Sequence, residues 1–249
     1  MASLGAMATV ILVRHGRTSA NSSGVLAGRT RGIHLDEVGR EQADRVGRRL
    51  ADVPLAALVT SPLERTRETA RAIGREQARG LRPVADKGLI ECGYGDWQGQ
   101  KLSVLAKDKL WRAVQQQPSS VTFPGGESIV DMWARSVSAV RRRDADVAAE
   151  HGDAAVWAAV SHGDIIKAIV AEALGQHLDL FQRVVIDPGS ATVIRYTTER
   201  PYVLQVNTHD GDLSWLAPPK RARTRRPADA PVGGGAGPAS PVKSQPAGS

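Results

Sequence analysis

The sequence predicts an α/β fold in three layers, α/β/α, with a mostly parallel sheet and helices on both faces. Three observations point there. Short, continuously apolar runs recur at residues 9–13, 55–59 and 154–160, as expected of strands buried on both faces. Stretches of helical periodicity lie between them, the alternation that builds parallel sheets. Each run also ends abruptly in polar residues, and in open sheets of this kind the ligand-binding groups gather at the carboxyl ends of the strands.

The elements follow in order. The first run contains VILV and delivers Arg14, His15 and Gly16. LDEVGREQADRVGRRL comes next, with Asp36 as a fitting N-cap and Val38, Ala43, Val46 and Leu50 at helical spacing. Residues 55–59 form a second strand, and Ser61-Pro62 is expected to open the helix ERTRETARAIGREQA, because proline suits a first turn. Residues 101–117 and 127–150 are further helices. AAVWAAV, residues 154–160, is a third buried strand, followed by SHGD and the apolar-periodic helix IIKAIVAEALG, with Gly175 as its C-cap. Segments near 190–196 and 202–206 read as late edge strands.

Composition bounds the partners. The chain has 249 residues, and 41% are hydrophobic, enough for an ordinary globular core. No uninterrupted apolar stretch is long enough to span a membrane, and the N-terminus lacks the basic head of a secretory signal. A lone cysteine, Cys92, forbids an internal disulfide; it reads as a small buried hydrophobe in a reducing cytoplasm. The net charge of +7 sits mostly in residues 217–249, where Lys220, Arg221, Arg223, Arg225, Arg226 and Lys243 face Asp229 alone. That tail is rich in Pro, Gly and Ala and reads as a disordered, solvated basic linker. It could contact anions weakly, but no nucleic-acid partner is expected. The expected organisation is an N-terminal extension over 1–8, a catalytic domain over 9–216 and the tail over 217–249. Abundant arginine and alanine hint at a GC-rich bacterial genome.

If the strands are parallel, three tips share one rim: Arg14-His15-Gly16; Thr60-Ser61-Pro62 with Arg65 a helical turn on; and Ser161-His162-Gly163-Asp164. The glycine-rich loop IECGYGDWQG adds the carboxylate Glu91. Arginine forks match phosphate oxygens, and two of them neutralise a dianion. Neutral imidazole can attack phosphorus to give a covalent phosphohistidine, and a carboxylic acid can protonate the departing alkoxide and later accept a proton from water. The residues divide these roles among themselves, with His15 as nucleophile, a protonated His162 as its partner, Arg14 and Arg65 as clamps, and Glu91 as acid and then base. Asp96 competes with Glu91 on residue type alone. Arg17 is either a solvated charge or a second handle for acidic substrates. Tyr94 and Trp97 read as loop packing. His34, His151, His177 and His209 show no paired metal-ligand spacing, so no metal and no cofactor is expected.

The motifs LVRHGRTSAN (12–21), LDEVGREQA (35–43), SPLERTRETA (61–70), ECGYGDWQG (91–99), PGGES (124–128) and VSHGD (160–164) stand in an order that resembles the histidine phosphatase superfamily, its phosphoglycerate mutase-like branch. The resemblance implies a metal-free phosphohistidine mechanism with His15 as nucleophile and Glu91 as proton donor. It implies a phosphate pocket holding Arg14, Asn21, Arg65, His162 and Gly163, with Thr18 and Gly28 beside them, and it makes a homodimer possible. It also prefers Glu91 over Asp96. The mutases of that family grip a substrate carboxylate with a basic pair in a longer insert between the acid and the second histidine, and no Arg-Arg pair occurs in KLSVLAKDKLWRAVQQQPSSVTFPGG. The expectation is therefore a phosphomonoesterase for a small phosphorylated metabolite. A mutase-type phosphotransferase is the second reading and a non-catalytic binding module the third.

Overall fold

The computed structural model describes residues 7–210 except residue 79, together with Gly233 and Gly235. Residues 1–6 of the expected extension and nearly all of the expected tail lie outside the described residues. Six strands form one sheet in the order β3-β2-β4-β1-β5-β6: β1 (Thr9–Arg14), β2 (Leu55–Thr60), β3 (Val84–Ala85), β4 (Val156–Ser161), β5 (Ala191–Arg195) and β6 (Tyr202–Thr208). The first four are mutually parallel, while β5 and β6 run antiparallel. β5 pairs with both β1 and β6, so it is an interior strand and, of the two late strands, β6 alone is an edge, which corrects the reading of both as edges.

The alternation of β1 explains the three layers. Ile11 and Val13 pack with Val46 of α2 (Glu37–Arg49) and its C-cap Leu50, and with Ala70 and Ile73 of α3 (Glu64–Glu76). Val10 and Leu12 point to the other face, into the cluster with Val140 and Val147 of α6 (Ile129–His151) and Ile166 and Ile169 of α7 (Gly163–Ala173). The rest of the helices are short: α1 (Ser19–Ser22), α4 (Leu102–Leu105) and α5 (Lys109–Gln116). Among the described residues no helix is long and apolar enough to cross a membrane.

Local chemistry sets the boundaries. Asp36 caps α2, accepting from Gly39 N–H at 2.8 Å. Pro62 stands ahead of α3, whose N-cap is Leu63, so the proline precedes the helix instead of occupying its first turn. The expected helix over 101–117 is two pieces, because Asp108 turns its carboxylate onto the Leu110 N–H at 2.8 Å and caps a new helix. Ser128 caps α6 by accepting from Asp131 N–H at 2.9 Å. α7 begins at Gly163, two residues before its apolar run, directly behind His162. Its C-cap is Leu174, and Gly175 follows with φ of +65°.

Register brings the strand tips together. Arg14 pairs with Ser161 across β1 and β4, and Thr60 pairs with Val160 across β2 and β4. His15 N–H donates to Ser161 O at 3.0 Å and Ser61 N–H to Val160 O at 2.9 Å. Against this rim sits the start of α2, and two glycines allow the approach. A Cβ on Gly16 would lie 2.2 Å from Gly39 O, and a Cβ on Gly39 would lie 1.9 Å from Arg17 O. Gly39→Ala is therefore expected to push α2 off the His15 turn, costing about 1–3 kcal/mol of stability. Urea unfolding measures it, and an unchanged midpoint would show that the contact has slack.

Candidate active site

The tip of β1, the first turn of α3 and the loop carrying Glu91 border a small cleft. His15, Thr18, Asn21, Gly28, Arg65 and Glu91 line it. The remaining sequence candidates, Arg14, His162 and Gly163, stand behind that wall and are not among its lining residues.

The hydrogen bonds fix the protonation pattern. His15 Nδ1–H donates to Gly16 O at 2.7 Å, and Arg65 Nε–H donates to His15 Nε2 at 3.3 Å. A guanidinium has no acceptor, so His15 Nε2 carries a lone pair. Arg65 Nη2 also donates to Gly28 O at 2.7 Å and to His162 Nδ1 at 3.3 Å. His162 is therefore protonated on Nε2, which donates to Ser61 Oγ at 2.8 Å. The two rings meet edge to face with centroids 5.2 Å apart. Burial first, then Arg65, lowers the pKa of both imidazoles well below the ordinary histidine value. Before an anion arrives, His162 therefore favours its neutral form.

Arg14 is wholly buried, and its Nη1 donates to Ile186 O at 2.7 Å. Burial lowers its pKa to about 10, opposed by Glu91, Asp187 and Asp164, so it keeps its charge at neutral pH. Arg65 Nη1 is buried with no hydrogen-bond partner among the described residues, a donor that an anion in the cleft would satisfy. Asn21 Oδ1 accepts from Thr18 N–H at 3.0 Å and Thr18 Oγ1–H at 2.9 Å, which leaves its Nδ2 as the donor end on the cleft wall. Gly163 is the first residue of α7, where backbone N–H groups favour negative charge.

Glu91 is buried, and its Oε2 lies 3.8 Å from His162 Nδ1. Burial and the nearby Asp164 carboxylate push its pKa up to about 7, against the pull of Arg65, the Cys92 N–H and Arg14. Such a carboxyl can both give and take a proton near neutrality. Asp96, its rival in the sequence, is exposed and lies outside the lining. Arg17 is paired with Asp36 at 2.8 Å and does not line the cleft. Cys92 is buried in the core. Among the described residues no group of three or more His, Cys, Asp and Glu is placed to hold a metal ion.

Several contributors escape sequence reasoning. Tyr94 lines the cleft, and its hydroxyl donates to Asp164 Oδ2 at 2.7 Å, whereas Trp97 does stack on Trp111 as loop packing. Ser61 orients His162, and Asp164 lifts the pKa of Glu91. The glutamate of PGGES also has a role. Glu127 accepts from Arg29 and Arg135, each at 2.7 Å, and from Gly93 N–H at 2.8 Å. The same two arginines donate to Glu91 O at 2.8 and 3.1 Å, pinning the backbone of the acid. A charged residue inside a glycine turn does signal a partner; what the sequence does not give is where that partner stands.

The sequence pattern of the histidine phosphatase superfamily (branch 1) matches residues 10–209. Phosphoserine phosphatase 1 of Hydrogenobacter thermophilus is 29% identical over 206 residues, 81% of this chain and 92% of its own length. Glucosyl-3-phosphoglycerate phosphatase of Mycolicibacterium vanbaalenii is 34% identical over 68% of this chain and 76% of its own length. The solved structure of a mycobacterial glucosyl-3-phosphoglycerate phosphatase superposes with a TM-score of 0.70 at 27% identity, covering 81% of this chain and 99% of that one.

The raised pKa of Glu91 has a consequence for stability. The folded carboxyl holds its proton to about pH 7 and the unfolded one only to its ordinary value of 4.5. The stabilisation by that proton is full below the unfolded value and is lost as pH rises through the folded one. Glu91→Gln is therefore expected to melt higher than the unaltered chain at about pH 8, and the gain should shrink towards pH 5. Equal shifts at both pH values would mean that the carboxyl titrates as if in water.

Proposed function

Because the chain belongs to the histidine phosphatase superfamily, branch 1, it is a phosphatase, and we propose that it hydrolyses small phosphomonoesters with His15 Nε2 as nucleophile. The observation that carries the residue assignment is the double hydrogen bond of Arg65. One guanidinium touches the lone-pair nitrogens of both His15 and His162, so an anion drawn to Arg65 lies against both.

Each bond change is balanced. His15 Nε2 attacks phosphorus as the bond to the ester oxygen breaks, and the leaving oxygen takes the proton of Glu91. The Gly16 carbonyl, already bonded to Nδ1–H, holds the charged phosphoimidazole in line. Water then attacks phosphorus, Glu91 receives its proton, the P–N bond breaks, and inorganic phosphate and neutral His15 remain. Arg65, with Arg14 behind it, offsets the charge of the transferring group, and Asn21 Nδ2 donates to its oxygens. A phosphoryl dianion beside His162 Nδ1 favours protonation there, so His162 becomes a donor when substrate arrives.

The lining also supports hydrolysis over isomerisation of phosphoglycerate. Val25, Leu26, Ala27 and Leu102 form one side of the cleft, and Arg65 is the one cation among the described lining residues. Among those residues no second cation stands ready for a substrate carboxylate. The compartment we propose is a reducing cytoplasm, on the strength of a single thiol kept in the core.

Phosphate release from p-nitrophenyl phosphate tests the reading, run beside 3-phosphoglycerate with 2,3-bisphosphoglycerate; efficient isomerisation without phosphate release would reverse it. His15→Ala is expected to remove both turnover and the acid-labile, alkali-stable phosphoenzyme, and survival of normal turnover would move the nucleophile elsewhere. Glu91→Gln is expected to slow an alkyl phosphate by about 10²–10⁴-fold and p-nitrophenyl phosphate far less, since a good leaving group needs no proton. Equal slowing of both would assign Glu91 another role.

A further inference from the structure

Two residues of the C-terminal tail stand in the candidate active site. Gly233 and Gly235 line the cleft together with His15, Arg65 and Glu91. Gly233 N–H donates at 3.0 Å to Asp164 Oδ2, the oxygen that also accepts from the Tyr94 hydroxyl. Asp164 is almost wholly buried and its other oxygen faces Lys167 Nζ at 3.4 Å, so this anchor is an interior carboxylate and not a passing surface contact. The backbone at Gly233 has φ of +73°, and a Cβ there would lie 2.8 Å from Leu26 Cδ1 and 3.6 Å from Tyr94 Oη. Both the conformation and the space call for glycine.

We infer that the tail backbone at Gly233 and Gly235 is a wall of the substrate cleft and limits the size of the leaving group. The inference rests on the phosphatase reading of this site and deepens it. Gly233 stands on the wall of the cleft. It meets Leu26 and Tyr94, on the side of the cleft where Val25, Leu26 and Leu102 offer apolar surface to the organic part of an ester. A phosphoryl group against Arg65 and His15 is small enough to ignore this wall. A bulky ester group is not, and must displace a backbone hydrogen-bonded to a buried carboxylate.

Gly233→Pro in the full chain isolates the effect. Proline has no N–H to give Asp164 and fixes φ near −65°, so it cannot keep the contact, and it lies outside the catalytic residues. The probes are phosphonates, which bind without turnover: methylphosphonate for the phosphoryl site alone, and 1-naphthylmethylphosphonate for the site plus a bulky group. Calorimetric titration is expected to show methylphosphonate affinity unchanged within about twofold and naphthylmethylphosphonate affinity raised at least about fivefold in the variant. The kcat/KM for 1-naphthyl phosphate should rise in parallel. If the ratio of the two affinities is the same in both chains, or shifts towards the small ligand, the wall is overturned while the phosphatase reading stands. If methylphosphonate binds neither chain, the phosphate site itself fails and the inference falls with it.

Discussion

A guanidinium held out of water between two imidazoles leaves each ring one neutral tautomer. Arg65 imposes this at the strand tips: its N–H groups meet Nε2 of His15 and Nδ1 of His162, so both atoms must be lone pairs. The outer partners agree. A carbonyl takes the His15 Nδ1–H and a hydroxyl takes the His162 Nε2–H. The position of Arg65 follows from β2, whose pairing with β4 sets where α3 begins, and Arg65 is the second residue of that helix. Sheet register thus fixes the tautomers, and the tautomers decide which nitrogen can attack phosphorus.

Glu91 belongs to the same electrostatic unit by the opposite route. It is not in register with anything, because it lies in a loop, and a loop needs pins. Arg29, Arg135 and Glu127 supply them from three separate segments, clamping the Glu91 carbonyl while its carboxyl stays dry. Asp164 then pushes that carboxyl towards its protonated form. Tyr94 and Lys167 hydrogen-bond Asp164 and hold the anion in place. A proton donor poised near neutrality is therefore a property of the whole cluster and not of one glutamate.

Much of this is legible in the sequence, for a definite reason. Buried parallel strands write themselves as unbroken apolar runs, so the ends of β1, β2 and β4 can be read directly, and with them His15, the approach to Arg65, and His162. What stays hidden is whatever depends on a distance across the fold. Asp164 looks like part of a helix start, and only proximity to Glu91 makes it an electrostatic partner. Ser61 looks like a turn residue, although it sets the tautomer of His162. Asp96 and Glu91 are equivalent as carboxylates in one glycine-rich loop, and burial alone separates them. The break at Asp108 is hidden because a capping aspartate inside a periodic stretch is silent until the chain turns. Gly233 is hidden because glycine in low-complexity sequence carries no apolar signal, while the contact it makes uses only its N–H and its lack of a side chain.

The cost of assembling such a site argues for its ligand. Arg14 and Arg65 are buried cations, both with lowered pKa values because burial disfavours their charge. The anions beside them are Asp164, engaged by Tyr94 and by Gly233, Asp187 near Arg14, and Glu91 once it gives up its proton. Arg65 lines the cleft with one N–H group, Nη1, that has no hydrogen-bond partner among the described residues. A neutral or cationic ligand would leave the charge at that donor uncompensated. A phosphoryl dianion accepts from it and raises the proton affinity of His162 in the same event, so the donor is in place before the substrate arrives.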